Sequence, residues 1–195
     1  PPDTLEAAQD DEQLDYRDVV GQQFAVRALT IAAAGGHGAL LIGPPGAGKS
    51  MLAKRLPGIL PPLDEDERIE TALIHSVAGL DLRSITAGVR PFRAPHHSAT
   101  VASLVGGGSG NVRPGEVSLA HNGVLFLDEF AEFSNSSLQA LRQPIENGRV
   151  IVSRVGSRAV FPARFQLVAA SNPCPCGYLG DADHGCRCSE HQVNH

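Results

Sequence analysis

Five side chains of this 195-residue sequence have the types and spacing needed for chemistry on a phosphate ester. Lys49 and Ser50 close the run Gly43-Pro44-Pro45-Gly46-Ala47-Gly48-Lys49-Ser50, which fits G-x-x-x-x-G-K-[ST]. Glycines in such a turn let backbone N–H groups point inward at phosphate oxygens, at the start of a helix whose dipole favours anions. The lysine reaches the terminal phosphates as a point charge, and the hydroxyl is a ligand for Mg²⁺. Asp128 and Glu129 end an apolar run. There the first carboxylate holds the hydration shell of the metal, shared with Ser50, and the second orients and deprotonates an attacking water. Asn172 follows another apolar run. Its amide can link a γ-phosphate to that water without adding charge, or it can simply turn the chain before Pro173. The expected ligand is ATP with Mg²⁺, cradled by residues 43–51 up to Met51, with Lys49, Asp128 and Glu129 doing the chemistry and Asn172 a candidate beside them.

The elements that must hold these residues are legible as pattern. Ala39–Ile42 reads as a short buried strand leading into the glycine turn, and the residues after Gly48 as a helix that stops before Pro57. Before them, "QQFAVRALTIAAAGG" reads as a helix with a glycine stop. After the turn "PGILPP" comes a helix with an acidic first turn, its apolar stripe formed by Ile69, Leu73, Ile74 and Val77. "GVLFLDE" is continuously apolar, as in a parallel strand buried on both faces. "NSSLQALRQPIENG" reads as a capped helix ending at Gly148, with a late kink at Pro144. Residues 149–161 read as a β-hairpin around Val155-Gly156-Ser157, and "FQLVAASN" as one more buried strand. The expected class is α/β, with helices packed on a parallel sheet. Residues 1–16, acidic and poor in large apolar side chains, read as a linker or tail, leaving 17–195 as one core.

Charge is unevenly spread. The net charge is -5, yet residues 1–20 hold seven carboxylates against Arg17 alone, so the remainder is close to neutral. Two segments carry arginine and no acid: Arg83, Arg90, Arg93 and Arg113 in one, Arg149, Arg154, Arg158 and Arg164 in the other. Local potential decides whether a polyanion is attracted, and guanidinium forks onto phosphate oxygens better than ammonium. Arg90, Arg93, Arg154 and Arg158 are therefore candidate nucleic-acid contacts. His96 and His97 could add phosphate hydrogen bonds; adjacent histidines seldom both reach one metal ion. The other reading of "VRPFRAPHH" is a loop at a subunit interface. Residues 84–122 lack a clear core pattern, which inside a domain marks a functional excursion or disorder.

Cys174, Cys176, Cys186 and Cys188 are the four cysteines, all within fifteen residues. In a reducing compartment four thiolates can close a tetrahedral Zn²⁺ shell with no open position, a structural role. His184 or His191 could replace one of them, and unliganded thiols are the other reading. No apolar run approaches the ~18 residues that span a bilayer, and the N-terminal residues lack the order of a secretory signal, so a cytoplasmic location is expected.

These motifs resemble the AAA+ ATPases. With "DVVGQ", "RPFRAPHHSAT", "LVGGG", "RPGEVSLAHNGVLFLDEF", "LRQPIENGRVIVSR" and "ARFQLVAASNPCPCGY" beside the glycine turn, the sequence over residues 17–192 is similar to the magnesium-chelatase-like family called ComM or YifB. The resemblance implies an αβα P-loop NTPase core in which Lys49, Asp128, Glu129 and Asn172 are the Walker A lysine, the Walker B pair and sensor 1. It implies that Val20, Gly21 and Gln22 lie near the adenine. It makes residues 84–122 a helix-2 insert and residues 149–161 a pre-sensor-1 hairpin, both projecting into the pore of a hexameric ring. The family also carries a Lon-protease-like domain before this region and a helical lid with an arginine finger after it. Without that lid, the chain is expected to bind ATP but hydrolyse it poorly by itself.

Three functions compete at this point. The resemblance favours a ring-forming DNA helicase or branch-migration motor gripping branched or single-stranded DNA. The chelatase likeness suggests an ATPase subunit that drives metal insertion into a tetrapyrrole. A remodeller of protein partners is the third, although no GAFTGA loop of a sigma-54 activator is present. Basic segments suit the first, since an acidic or apolar pore would suit protein substrates.

Overall fold

The computed structural model describes residues 14–107, 112–154, 157–181 and 183–193, with the backbone alone at 153, 154 and 157. In chain order its elements are α1 (Gln23–Gly35), β1 (Ala39–Ile42), α2 (Lys49–Lys54), α3 (Glu65–Ala78), α4 (Arg83–Thr86), β2 (Phe92–Arg93), α5 (Val101–Val105), β3 (Gly106–Gly107), β4 (Arg113–Pro114), α6 (Glu116–Leu119), β5 (Val124–Leu127), α7 (Asn135–Asn147), β6 (Arg149–Arg154), β7 (Ser157–Pro162), β8 (Gln166–Ser171) and α8 (Glu190–Val193). Local chemistry explains several ends. Asp64 and Glu67 form a reciprocal capping box at the start of α3, satisfying amides that the helix itself cannot. Ser134 caps α7, and Gly148 ends it in the left-handed region with Pro144 inside.

Four strands form one parallel sheet in the order β1-β8-β5-β2. Side chains alternate across a strand, and β5 shows the consequence. Val124 and Phe126 face a cluster with Tyr16, Leu29, Leu52, Leu56 and Val168. Leu125 and Leu127 face a second cluster with Val117, Phe133, Leu141, Val150 and Val152. Both faces of β5 are covered, so the molecule is an α/β three-layer P-loop core as expected. β3 with β4 and β6 with β7 form two separate antiparallel ribbons. No helix among the described residues is long and apolar enough to cross a membrane.

Strand order brings the chemistry together. β1 pairs in register with β8 up to Ile42 opposite Ser171, and β8 pairs with β5 up to Ala169 opposite Leu127. Gly43, Asp128 and Asn172 each follow one of these strand ends, at the carboxyl edge where open α/β sheets place their ligands.

Four expectations need correction. Among the described residues β1 lies at the edge of the sheet and is not a buried strand, with Leu40 and Ile42 more than half exposed; an apolar run does not say which strand lies outside. α3 buries Thr71, Ile74 and His75, while Ile69, Leu73 and Val77 are exposed, because packing chose a face rotated from the most apolar one. Parts of the stretch 84–122 belong to the core: β2 joins the central sheet, Phe92 stacks on Phe126 at 5.9 Å, and Leu104, Val117 and Leu119 are buried. Of the acidic 1–16 segment, residues 1–13 lie outside the described residues, but Tyr16 belongs to the core. Its hydroxyl donates to the Leu52 carbonyl at 2.9 Å, and burial pushes its pKa up to about 12.

Candidate functional site

The glycine turn leaves β1 and enters α2 with Gly46 and Gly48 at φ of 79° and 82°, backbone values that side chains resist. Lys49 is the first residue of α2. Its Nζ donates to the carbonyls of Gly43 at 2.7 Å and Pro44 at 2.9 Å and to Asn172 Oδ1 at 3.1 Å. The lysine thus ties the turn to the end of β8, a distance of 123 residues along the chain. Ser50 Oγ donates to Asp128 Oδ2 at 2.5 Å. A hydroxyl and a carboxylate in contact, next to a phosphate-sized turn, are the oxygen donors that suit Mg²⁺. These residues line one cavity of about 370 Å³ with Pro45 to Met51, Asp128, Glu129 and Ala170 to Asn172.

The structure therefore unites the residues singled out for phosphate chemistry. Gln22 also reaches the turn, its amide donating to the Ala47 carbonyl at 3.3 Å. Gly21 and Gln22 both take positive φ, and Val20 is almost fully exposed beside them.

Glu129 adopts φ of 51°, in the left-handed region that a non-glycine residue enters at a cost of roughly 1 kcal/mol. Its Oε2 lies 2.8 Å from His97 Nδ1. That partner was not anticipated. The His96-His97 pair stood out in the sequence, but its nearness to Glu129 needs β2 and β5 to be neighbours. The two imidazoles are tilted 37° to each other with centroids 4.0 Å apart, and His96 Nδ1 meets Ser98 Oγ at 2.7 Å. His97 and Glu129 with Lys54, Pro95 and Phe126 line a second cavity of about 390 Å³ behind Asp128.

Arg90 and Arg93 are not available for a phosphate backbone. Arg90 Nη2 meets Glu67 at 2.8 Å with side chains 15% and 28% exposed, and it also donates to the Pro61 and Asn122 carbonyls. Arg93 forks onto both oxygens of Glu116 at 2.7 and 2.9 Å. The run without acids misled because the carboxylates come from α3 and α6, outside it. Arg164 likewise meets Glu70 at 2.7 Å, beside the fully buried His121. Hydrogen bonding to His121, ahead of Arg164, lowers the pKa of Glu70. Arg158 is exposed, and the Arg154 side chain lies outside the described residues.

The four cysteines converge: their sulfurs lie within 4.8 Å of one another, Cys174 buried and the rest half-buried. Backbone N–H groups of Arg187 and Tyr178 hold the Cys176 thiol down to about 6. Cys188 rises to about 12: the Cys176 N–H acts against this, but desolvation and the neighbouring thiols outweigh it. His184 is engaged elsewhere, meeting Asp181 at 3.3 Å and stacking on Tyr178 at 4.8 Å.

A family model described as magnesium chelatase, subunit ChlI, matches residues 15–195. Among curated proteins, the chain is 58% identical over 165 residues to competence protein ComM of Haemophilus influenzae, covering 85% of this chain and 32% of that one. It is 53% identical over 179 residues to the YifB protein of Salmonella typhimurium, covering 92% and 35%. A magnesium-chelatase 67 kDa subunit of Chlorobaculum parvum is 30% identical over 168 residues, covering 81% and 23%. The chain spans about a third of the length of the first two relatives. Glycine turn, strand-end carboxylates and strand order agree with a match over nearly the whole chain, which belongs to the magnesium-chelatase-like family of P-loop proteins that includes ComM and YifB.

Proposed function

We propose that this chain is the ATP-binding and ATP-hydrolysing core of a DNA motor. The observation that supports it most is the convergence of Lys49, Ser50, Asp128, Glu129 and Asn172 on one cavity. Lys49 exchanges its carbonyl partners for β- and γ-phosphate oxygens, and the backbone N–H groups of the turn hold the remaining oxygens. Ser50 and Asp128 would hold Mg²⁺, which would supply neutralising charge to the phosphates. Glu129 takes the proton of the attacking water, and Asn172 positions that water against the terminal phosphate. Val20 to Gln22 border the adenine.

The DNA half of the reading rests on the two ribbons and on the relative named a competence protein. Gly106 of β3 packs near Val152 of β6, so the ribbons lie side by side. Among the described residues, Arg113, Arg149 and Arg158 are exposed there and form no ion pair. They replace Arg90 and Arg93 as the basic surface, with Arg154 of β6 beside them in sequence. In the intact protein, six copies around a pore would turn these ribbons into a positive funnel for a single strand or branch. A metal-insertion subunit is the second reading, favoured by the 30% likeness to the 67 kDa chelatase subunit but ranked lower by the 51–58% likeness to ComM and YifB. The deciding experiment measures ATP turnover by the intact protein with branched DNA, plain duplex, or a tetrapyrrole and Mg²⁺. Stimulation by branched DNA supports the motor. Stimulation only with the tetrapyrrole rejects it.

A further inference from the structure

The cysteine cluster has dimensions that point to a ligand. Sγ–Sγ separations are 3.4 Å for Cys174 and Cys176 and 3.7 Å for each of these with Cys186. A tetrahedral cation with thiolate bonds of about 2.3 Å needs edges of about 3.8 Å. Disulfides would sort the sulfurs into two bonded pairs at about 2.05 Å; these sulfurs instead surround one centre. The chain is folded locally to bring them there. The Gly177 N–H donates to the Cys174 carbonyl at 2.8 Å, closing the first turn with Gly177 at φ of 85°. Asp181 Oδ1 accepts from the N–H groups of Asp183 and His184, which turns the chain back toward Cys186. The Cys176 N–H donates to Cys188 Sγ at 3.4 Å, so the backbone of one pair aims a sulfur of the other.

We propose that Cys174, Cys176, Cys186 and Cys188 bind one Zn²⁺ as a closed tetrathiolate site, and that this site braces the phosphate turn. Four protein ligands leave no coordination position for a substrate, so the ion is structural. The brace is a contact: a Cβ at Gly177 would lie 2.5 Å from Pro45 Cδ, so the metal turn sits on the phosphate turn with no room for a side chain. Cys174 is two residues beyond Asn172, whose Oδ1 accepts from Lys49. An ion that fixes Cys174 and Cys176 therefore fixes two walls of the cavity. This bracing half rests on the cavity being the nucleotide site; the metal half does not.

The test uses protein purified without chelator and measures metal content, cobalt spectra and Mg-ATP binding by calorimetry. Elemental analysis should find about one zinc per chain. Cobalt exchanged into the unaltered protein should give intense thiolate charge-transfer bands and tetrahedral d–d bands, and Cys186→Ser should lose the zinc. Folded protein without zinc, with bound iron instead, or with an octahedral cobalt spectrum overturns the site. Gly177→Ala should keep zinc and fold yet bind Mg-ATP about tenfold more weakly, as should protein stripped of zinc. Unchanged affinity in Gly177→Ala overturns the brace, whatever stripping does to the fold. Zinc-loaded protein that binds no ATP rejects the nucleotide reading while leaving the metal site standing.

Discussion

His97 Nδ1 and Glu129 Oε2 are 2.8 Å apart, so the loop after β2 holds the carboxylate that ends β5. The Nδ1–H donates, and the lone pair it occupies is one that a lytic water would need. The contact is half exposed on the glutamate side, which limits its strength to about 1 kcal/mol. His97→Ala should therefore raise basal ATP turnover about threefold to fivefold, with ATP affinity unchanged. A fall in turnover would mean that His97 positions the base instead of restraining it.

In the proposed mechanism Lys49 and Glu129 act at different stages. Lys49→Ala removes the charge that replaces solvent around the phosphates, and binding measured by calorimetry should be lost. Glu129→Gln keeps the shape but not the base, so ATP should still bind while turnover falls at least about a hundredfold. Equal loss of binding in both variants would contradict the division of roles.

The arginines divide into structural and exposed sets. Arg90→Ala leaves Glu67 without its partner in a partly buried site and should cost about 2 kcal/mol, read as a lowered midpoint in urea. Its effect on DNA affinity should be small. Arg113→Ala with Arg158→Ala should leave the midpoint unchanged, weaken DNA binding and flatten its dependence on salt. The reverse pattern would return the contact surface to Arg90 and Arg93.

Two buried histidines make stability depend on pH. Desolvation lowers the pKa of His75, whose Nε2–H donates to the Leu119 carbonyl at 3.0 Å, with Arg93 adding to the shift. Desolvation likewise lowers that of His121, against the hydrogen bond its Nε2–H donates to Glu70. The folded state thus binds protons less readily than the unfolded state, whose histidines titrate near 6.5. Stability is full above that value and declines as pH falls below it, toward the lower folded pKa values. The urea midpoint should drop between pH 7.5 and 5.5. Glu70, lowered in the fold, adds a separate loss only below the ordinary carboxylate range. A flat profile from 7.5 to 5.5 would show that the two imidazoles accept protons freely.

Much of the site was legible because its parts are local. The glycine turn needs consecutive residues with special backbone angles, and a capped helix or an apolar strand announces itself within a few positions; Gly46, Gly48, Ser134 and Val124–Leu127 all behave as their neighbours dictate. The cysteines also lie close enough in the chain to meet through two short turns. The family resemblance carried Asn172 to its place, where its amide meets Lys49.

Pairings across long separations were decided by the tertiary structure alone. Arg90 and Arg93 took carboxylates 23 residues away in each case, and His97 found Glu129 only because β2 lies next to β5. The outer position of β1 and the buried face of α3 have the same origin. Backbone preference and hydrophobic period act within a few residues, so the sequence by itself determined the elements and the phosphate turn. A charged side chain, by contrast, pairs with whatever partner the packing of distant elements brings within about 3 Å. That choice exists only once the sheet has assembled.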